Sequence, residues 1–377
     1  MADNKPHILH VHGSFTLGGK EARAIRLMNI WGDKARHAIV SADREALGAR
    51  AAIDPTVRVD FPASPPFAGR PGVGRFRDIA KFLKKYDLIL TYNWGAMDAA
   101  MAHRMFSLVS AMPPLIHHED GFNADEATGL KPQRNLYRRA GLGRADALVV
   151  PSVRLESIAR QVWKQPAAKV HLIRNGIDTA RYAEPPSPDA IPGLRRSPGK
   201  LLVGTLAGLR PVKNIPRLVR AVAAHRDRLQ LVVVGEGPER DAIVAQAAAL
   251  GLDDLHMAGF MDQPWRFVGL FDIFALSSDS EQFPISLVEA MAAGVPVASM
   301  DVGDVINMVA PENRSFVVPD EAGLAQALGT LATDPDLRAR LGAANRDRAV
   351  RDYAEQAMVD AYASLYGEAL ASPDILR

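Results

Sequence analysis

Two successive doubly wound α/β domains are what this sequence predicts, on three observations. Short β-rich runs alternate with helical patterns through nearly the whole chain, as in parallel βα units. The alternation is interrupted once, by Ala183-Glu-Pro-Pro-Ser-Pro-Asp-Ala-Ile-Pro-Gly, which concentrates proline and polar residues without periodicity and reads as a linker. A length of 377 residues also exceeds the size at which one hydrophobic core keeps growing.

The first series has strands predicted over residues 7–12, 37–41, 87–93, 114–119, 147–152 and 170–174, with the clearest helices over 21–31, 75–85, 134–140 and 153–163. It forms a domain of residues 1–183, and residues 184–199 form the hinge. The second series has strands over 201–206, 229–234, 256–260, 273–277, 295–300 and 316–319, and helices over 215–225, 239–250, 285–293, 321–330, 335–347 and 353–370. Its domain is residues 200–352, followed by a terminal segment, 353–377, expected to pack back across the hinge. Such folds place the ligand at the carboxyl ends of the strands, here in a cleft between two facing domains.

The hydrophobic and charged fractions, 48% and 23%, are those of soluble globular protein. The absence of cysteine excludes disulfides, thiolate metal sites and thiol nucleophiles. The polar N-terminus runs into the short apolar stretch Ile8–Val11, too short for a signal-peptide core, and no window supplies the 18 or so apolar residues of a membrane span, so a cytoplasmic protein is expected. Charge is uneven: residues 1–180 carry 26 Lys and Arg against 17 Asp and Glu, the remainder 19 against 26. A basic half suits an anionic partner, or is ordinary solvated surface.

The most informative stretch is Ser277-Ser-Asp-Ser-Glu-Gln-Phe-Pro-Ile-Ser-Leu-Val-Glu-Ala-Met-Ala-Ala-Gly-Val-Pro-Val, which leaves a strand, crosses a polar turn and enters a helix at Pro284. Its two carboxylates, Glu281 and Glu289, flank the free backbone N–H groups of a helix start, which attract phosphate. Amides near Ile285 and Ser286 suit a diphosphate, and each carboxylate suits sugar hydroxyls. Otherwise Glu281 caps the helix and Glu289 is a surface residue. Gly204-Thr-Leu-Ala-Gly-Leu-Arg-Pro-Val-Lys-Asn places Arg210 and Lys213 at another strand end, where two cations suit a departing diphosphate. In the first domain, Gly18 and Gly19 follow the first strand and admit close phosphate approach. Pro114-Leu-Ile-His-His-Glu-Asp-Gly ends a strand in polar groups, with His118 and Asp120 as candidates, while Asn93 and Trp94 end another and suit an acceptor wall. Asp334-Pro-Asp336 is the only D-x-D and reads as a helix cap, not a metal site.

The segment from Glu281 to Glu289, with the Ala-Met-Ala-Ala-Gly-Val-Pro-Val that follows, resembles the E-x7-E signature of glycosyltransferase family 4. The Lys213 segment is similar to the family's G-R-L-x-x-x-K, Gly18-Gly19 to its G-G-x-E loop, and Gly235-Glu-Gly-Pro to its G-x-G-P turn. Gly208 stands where the family has arginine, and Gln282 where it has glycine. The resemblance implies the GT-B fold, a nucleotide-diphosphate sugar donor, retention of anomeric configuration and no metal or other cofactor. By it Glu281 contacts the transferred sugar and Glu289 the ribose; Phe283, Pro284, Ile285, Ser286 and Leu287 line the donor site; Gly18 and Gly19 face the phosphates; and Asp120 or His118 stands beside the sugar. The acceptor expected by analogy is a glycan or lipid-linked, with Arg134, Arg138 and Arg139 and Lys81, Lys84 and Lys85 resting on an anionic membrane surface. A nucleotide-sugar epimerase and a noncatalytic nucleotide-sugar-binding module are the alternatives; a nucleic-acid partner is not expected of the acidic second half.

Overall fold

The computed structural model describes residues 5–70, 72–122, 126 and 129–377. It contains two doubly wound parallel sheets in two compact units, Met1–Arg174 with Met358–Arg377, and Asn175–Ala357.

The first unit runs β1 (His7–His12), α1 (Gly19–Trp31), β2 (Arg36–Ser41), β3 (Val59–Asp60), α2 (Val73–Leu83), β4 (Leu88–Tyr92), α3 (Met97–Phe106), β5 (Leu115–His118), α4 (Pro132–Gly141), β6 (Ala147–Val150), α5 (Val153–Gln161) and β7 (Val170–Leu172). Its sheet order is β3-β2-β1-β4-β5-β6-β7, so the winding reverses between β1 and β4 and a crevice opens beyond their carboxyl ends. Every residue of β4, β5 and β6 is buried, as expected of strands covered on both faces. The prediction did not include β3 or α3. The first is two residues long, and the second, Met97-Asp-Ala-Ala-Met-Ala, is too rich in alanine to show a strong apolar stripe.

The second unit runs β8 (Leu201–Leu206), α6 (Ile215–Ala223), β9 (Leu229–Val234), α7 (Arg240–Ala249), β10 (Leu255–Gly259), β11 (Ile273–Leu276), α8 (Ile285–Ala292), β12 (Val297–Met300), α9 (Val305–Met308), β13 (Val317–Val318), α10 (Glu321–Thr333) and α11 (Pro335–Asp352). The order β10-β9-β8-β11-β12-β13 puts its reversal between β8 and β11. Side-chain caps start the helices where the sequence supplies them. Asn214, at φ 42°, accepts from Arg217 N at 3.3 Å, Asp320 from Gly323 N at 2.8 Å, and Asp334 from Leu337 N at 2.8 Å, the cap expected there.

The proline-rich stretch expected as a hinge over 184–199 does not separate the units. The second unit begins at Asn175, and Tyr182 and Ile191 are buried in its core with Phe267, Leu287 and Met291. Proline dictated an irregular path there, but the apolar residues along it are anchored. The segment around Ile177 pairs with the start of α12 (Glu355–Ala369): Ile177 N donates to Tyr353 O and Glu355 N to Ile177 O, both at 2.9 Å. Gly176 permits this approach, since a Cβ there would lie 2.8 Å from Glu355 Cα. Beyond Ala357 the chain belongs to the first unit, where Val359, Tyr362 and Tyr366 of α12 pack with Ile8, Trp31, Leu88 and Tyr92.

Candidate active site

In the second unit the loops after β8 and β11, on either side of the reversal, are bound together. Lys213 Nζ reaches Glu281 Oε1 at 2.6 Å, and Ser278 Oγ donates to the same oxygen at 2.7 Å. Ser277 Oγ donates to Lys213 O at 3.0 Å, and Asp279 N to Val212 O at 2.8 Å. Lys213 and Glu281 stay partly open, at 18% and 11% side-chain exposure. Arg210 is exposed in the same loop. Gly235 (φ 141°) is needed for closeness, because a Cβ there would strike the Ala207 carbonyl; Gly237 (φ 156°) meets Leu209 in the same way. The glycine turn therefore shapes the Arg210 loop from below.

Glu281 does not cap α8. The N-cap is Pro284, outside the helix, whose side chain has nothing to offer the first amides, so those of Ile285 and Ser286 lie at an uncapped helix start. Both residues are partly exposed. Phe283 and Leu287, expected to line the donor site, turn into the core instead: Leu287 is wholly buried and Phe283 packs edge-on against Tyr353 at 5.7 Å. Only their main chains are left for a ligand. Glu289 is half-buried, not a surface residue, and burial lifts its carboxyl to about 7.

In the first unit the polar strand end is mostly committed inward. His118 is buried, its Nδ1 3.2 Å from Thr91 O and its Nε2 2.7 Å from the hydroxyl of Tyr366 on α12. Burial, with Arg23 nearby, pushes the imidazole down to about 3, so it is neutral and enclosed and is withdrawn as a candidate. Asp120 is at the rim, 13% exposed, in a two-pronged ion pair with Arg23 of α1. Burial would raise its carboxyl, but the Arg23 charge and hydrogen bonds outweigh that and hold it below its ordinary value. Asn93, held at φ 54°, accepts from Asp120 N at 2.7 Å and so braces this strand end. Gly18 and Gly19 are exposed at the uncapped start of α1, with nothing within 4 Å of a Cβ built at Gly19.

Trp94 does line a cavity, of about 810 Å³, at the β1/β4 reversal, with Asp43, Phe67, Asp98, Arg134 and Tyr137. Asp98 accepts from Tyr137 Oη at 2.6 Å and Arg75 at 2.7 Å. The expected basic patch on α4 is partly interior. Arg138 is wholly buried among Trp94, Phe122 and Trp163 and paired with Glu119 at 2.8 Å, while Arg134 pairs with Glu126 at 3.0 Å. Arg139, Lys81, Lys84 and Lys85 are exposed.

Two family models match consecutive parts of the chain: Glycosyltransferase Family 4 over residues 17–181, and Glycosyl transferases group 1 over 188–348. A D-inositol 3-phosphate glycosyltransferase of Saccharomonospora viridis is 30% identical over 313 residues, 76% of this chain and 71% of that protein. The chain belongs to glycosyltransferase family 4. Another relative, the D-inositol 3-phosphate glycosyltransferase of Nocardia farcinica, is 28% identical, the match covering 68% of this chain but only 61% of that protein, less than two thirds of its length. Among solved structures, HepE of Anabaena in complex with UDP aligns with a TM-score of 0.79 at 21% identity, over 96% of this chain and 100% of that one. The fold shared with such neighbours is GT-B.

Arg23 was not singled out in the family motifs. Arg23 left a signal, being a charge that shares a helical stripe with Leu27 and Trp31, where an apolar residue is expected.

Proposed function

We propose that this family-4 chain is a retaining glycosyltransferase that moves a sugar from a nucleotide-diphosphate sugar to a hydroxyl of a glycan or lipid-linked acceptor. The observation that carries this reading is the partly open Lys213–Glu281 pair at the β8/β11 reversal, beside the uncapped start of α8. The diphosphate sits on the Ile285 and Ser286 amides, Glu281 accepts hydrogen bonds from the transferred sugar, and Glu289 accepts those of the ribose. Lys213, with Arg210, stabilises the charge that develops as the bond between the anomeric carbon and the phosphate oxygen breaks. The acceptor oxygen bonds to that carbon from the face the diphosphate leaves, and its proton passes to the departing phosphate oxygen, so no strong side-chain base and no metal is required.

The acceptor belongs to the first unit, with the Trp94 cavity as its seat. Exposed Arg139, Lys81, Lys84 and Lys85 suit an anionic membrane surface at the cytoplasmic face. Among the described residues no helix is long and apolar enough to cross a membrane. HepE, whose solved complexes include UDP-glucose, makes a uridine donor the first to try.

The test is a thermal-shift panel of UDP-, GDP-, ADP- and TDP-sugars with magnesium and with EDTA. A shift by one nucleotide family, undiminished by EDTA, is expected; no shift with any donor refutes the reading. Turnover of the donor to free nucleotide without an acceptor would favour an epimerase.

A further inference from the structure

The cavity at the β1/β4 reversal has walls that meet on one carboxylate. Its floor is main chain: Gly13, after β1, and Gly95, after β4, lie so close that a Cβ on Gly95 would strike Gly13 Cα. One wall is the loop of residues 66–70, stitched by the Arg75 guanidinium, which donates to Pro66 O at 3.3 Å, Gly69 O at 3.2 Å and Arg70 O at 3.1 Å. Another is the Tyr137 ring of α4, set edge-on against Trp94 at 5.6 Å.

Asp98, in the first turn of α3, joins the two walls. Its Oδ2 accepts from Arg75 Nη2 at 2.7 Å and its Oδ1 from Tyr137 Oη at 2.6 Å. Burial, with the Asp98 bond, raises the Tyr137 hydroxyl, which therefore stays protonated and donates. The carboxylate is thus held from both sides, and with one bond on each oxygen it keeps about two of its roughly four acceptor positions. It lines the cavity with 19% of its side chain exposed.

The charged lining is balanced, Asp43 and Asp98 standing against Lys131 and Arg134. Arg134 is paired with Glu126 at 3.0 Å and Arg75 with Asp98. A phosphate or carboxylate entering here would meet no surplus of positive charge among the described lining residues to offset its desolvation. An uncharged, hydroxyl-rich ring finds both things it requires, fixed acceptors for its hydroxyls and apolar surface on the partly exposed rings of Trp94 and Tyr137.

We propose that this cavity takes an uncharged sugar residue, the end of an acceptor glycan, and that Asp98 accepts hydrogen bonds from two of its hydroxyls. The inference rests on the acceptor seat proposed above and sets a glycan end apart from a lipid phosphate or other anion.

The experiment is saturation-transfer NMR, followed by titration, of the full chain with the methyl glycosides of glucose, galactose, mannose and N-acetylglucosamine. Glucose 6-phosphate and methyl glucuronide serve as anionic counterparts, each at low and high salt, with wild type and Asp98→Asn. At least one uncharged glycoside is expected to bind the wild type with an affinity that salt does not change, and to bind Asp98→Asn on the order of tenfold more weakly, the loss of hydrogen bonds to a charged group. An anionic counterpart that binds more tightly and weakens with salt overturns the proposal, and this readout needs no variant. So does a folded Asp98→Asn with unchanged affinity. Nucleotide sugars that shift the melting temperature while no glycoside binds overturn this inference alone; a glycoside that binds while no nucleotide sugar shifts it overturns the transferase reading and leaves a sugar site.

Discussion

The carboxyl ends of the two sheets are built from similar polar residues and use them differently. In the second unit the charged groups sit on loops beyond the strands, and Lys213 and Glu281 pair with each other while remaining partly open to solvent. In the first unit His117, His118 and Glu119 sit on or directly after β5, wholly or almost wholly buried, and are taken up by Thr91, Tyr366 and Arg138. A polar residue on a covered strand is generally spent on internal hydrogen bonds; one on the loop two or three residues later is available to a ligand. Asp120, at the boundary, is divided between the two.

That contrast predicts opposite phenotypes. The largest effect is expected at Arg138: Arg138→Met leaves Glu119 buried without its cation, and Glu126 with Arg134 alone, and should cost about 3–5 kcal/mol in denaturant unfolding. A loss under 1 kcal/mol would mean the cluster is not holding the strand end. Next is Lys213→Ala, expected to lower kcat by roughly 10²–10³ with little change in melting temperature, as when one group stabilising a developing charge is removed. Equal losses of stability and rate would erase the distinction between the two ends.

A third test is pH. Burial, with His7 nearby, holds His37 at about 4, below its unfolded value of 6.5. Its neutral form is the folded one, so the stability it contributes is complete above pH 6.5 and is lost as pH falls towards 4, about 3 kcal/mol for this group. The urea midpoint should fall over that window, and less steeply in His37→Asn; identical slopes would remove His37 as the cause. The smallest effect is expected at His118→Phe, about 1 kcal/mol for the lost Tyr366 bond, with kcat within about twofold of wild type. A kcat loss above about tenfold would return His118 to the active site.

The second unit was the more legible of the two. Its E-x7-E segment is contiguous, and a strand, a polar turn and a helix can be read from adjacent residues. The first unit's strand end was not, because what decides the fate of His118 is Tyr366, 248 residues away, and Asp120 is engaged by Arg23, 97 residues away. A window on the sequence sees a histidine at a strand end but not the helix that covers it. The hinge failed for a related reason. Proline announced irregular backbone, but the burial of Ile191 depends on Phe267 and Phe274, which local composition does not show.

The return of α12 to the first unit bears on the order in which a ribosome delivers the protein. Residues 175–357 form a contiguous unit and have all their core partners once they have emerged. The first unit, although synthesised earlier, must hold Ile8, Leu88 and Tyr92 uncovered until Tyr362 and Tyr366 arrive at the far end of the chain. The nascent chain's exposure to misassembly is therefore concentrated on the half made first.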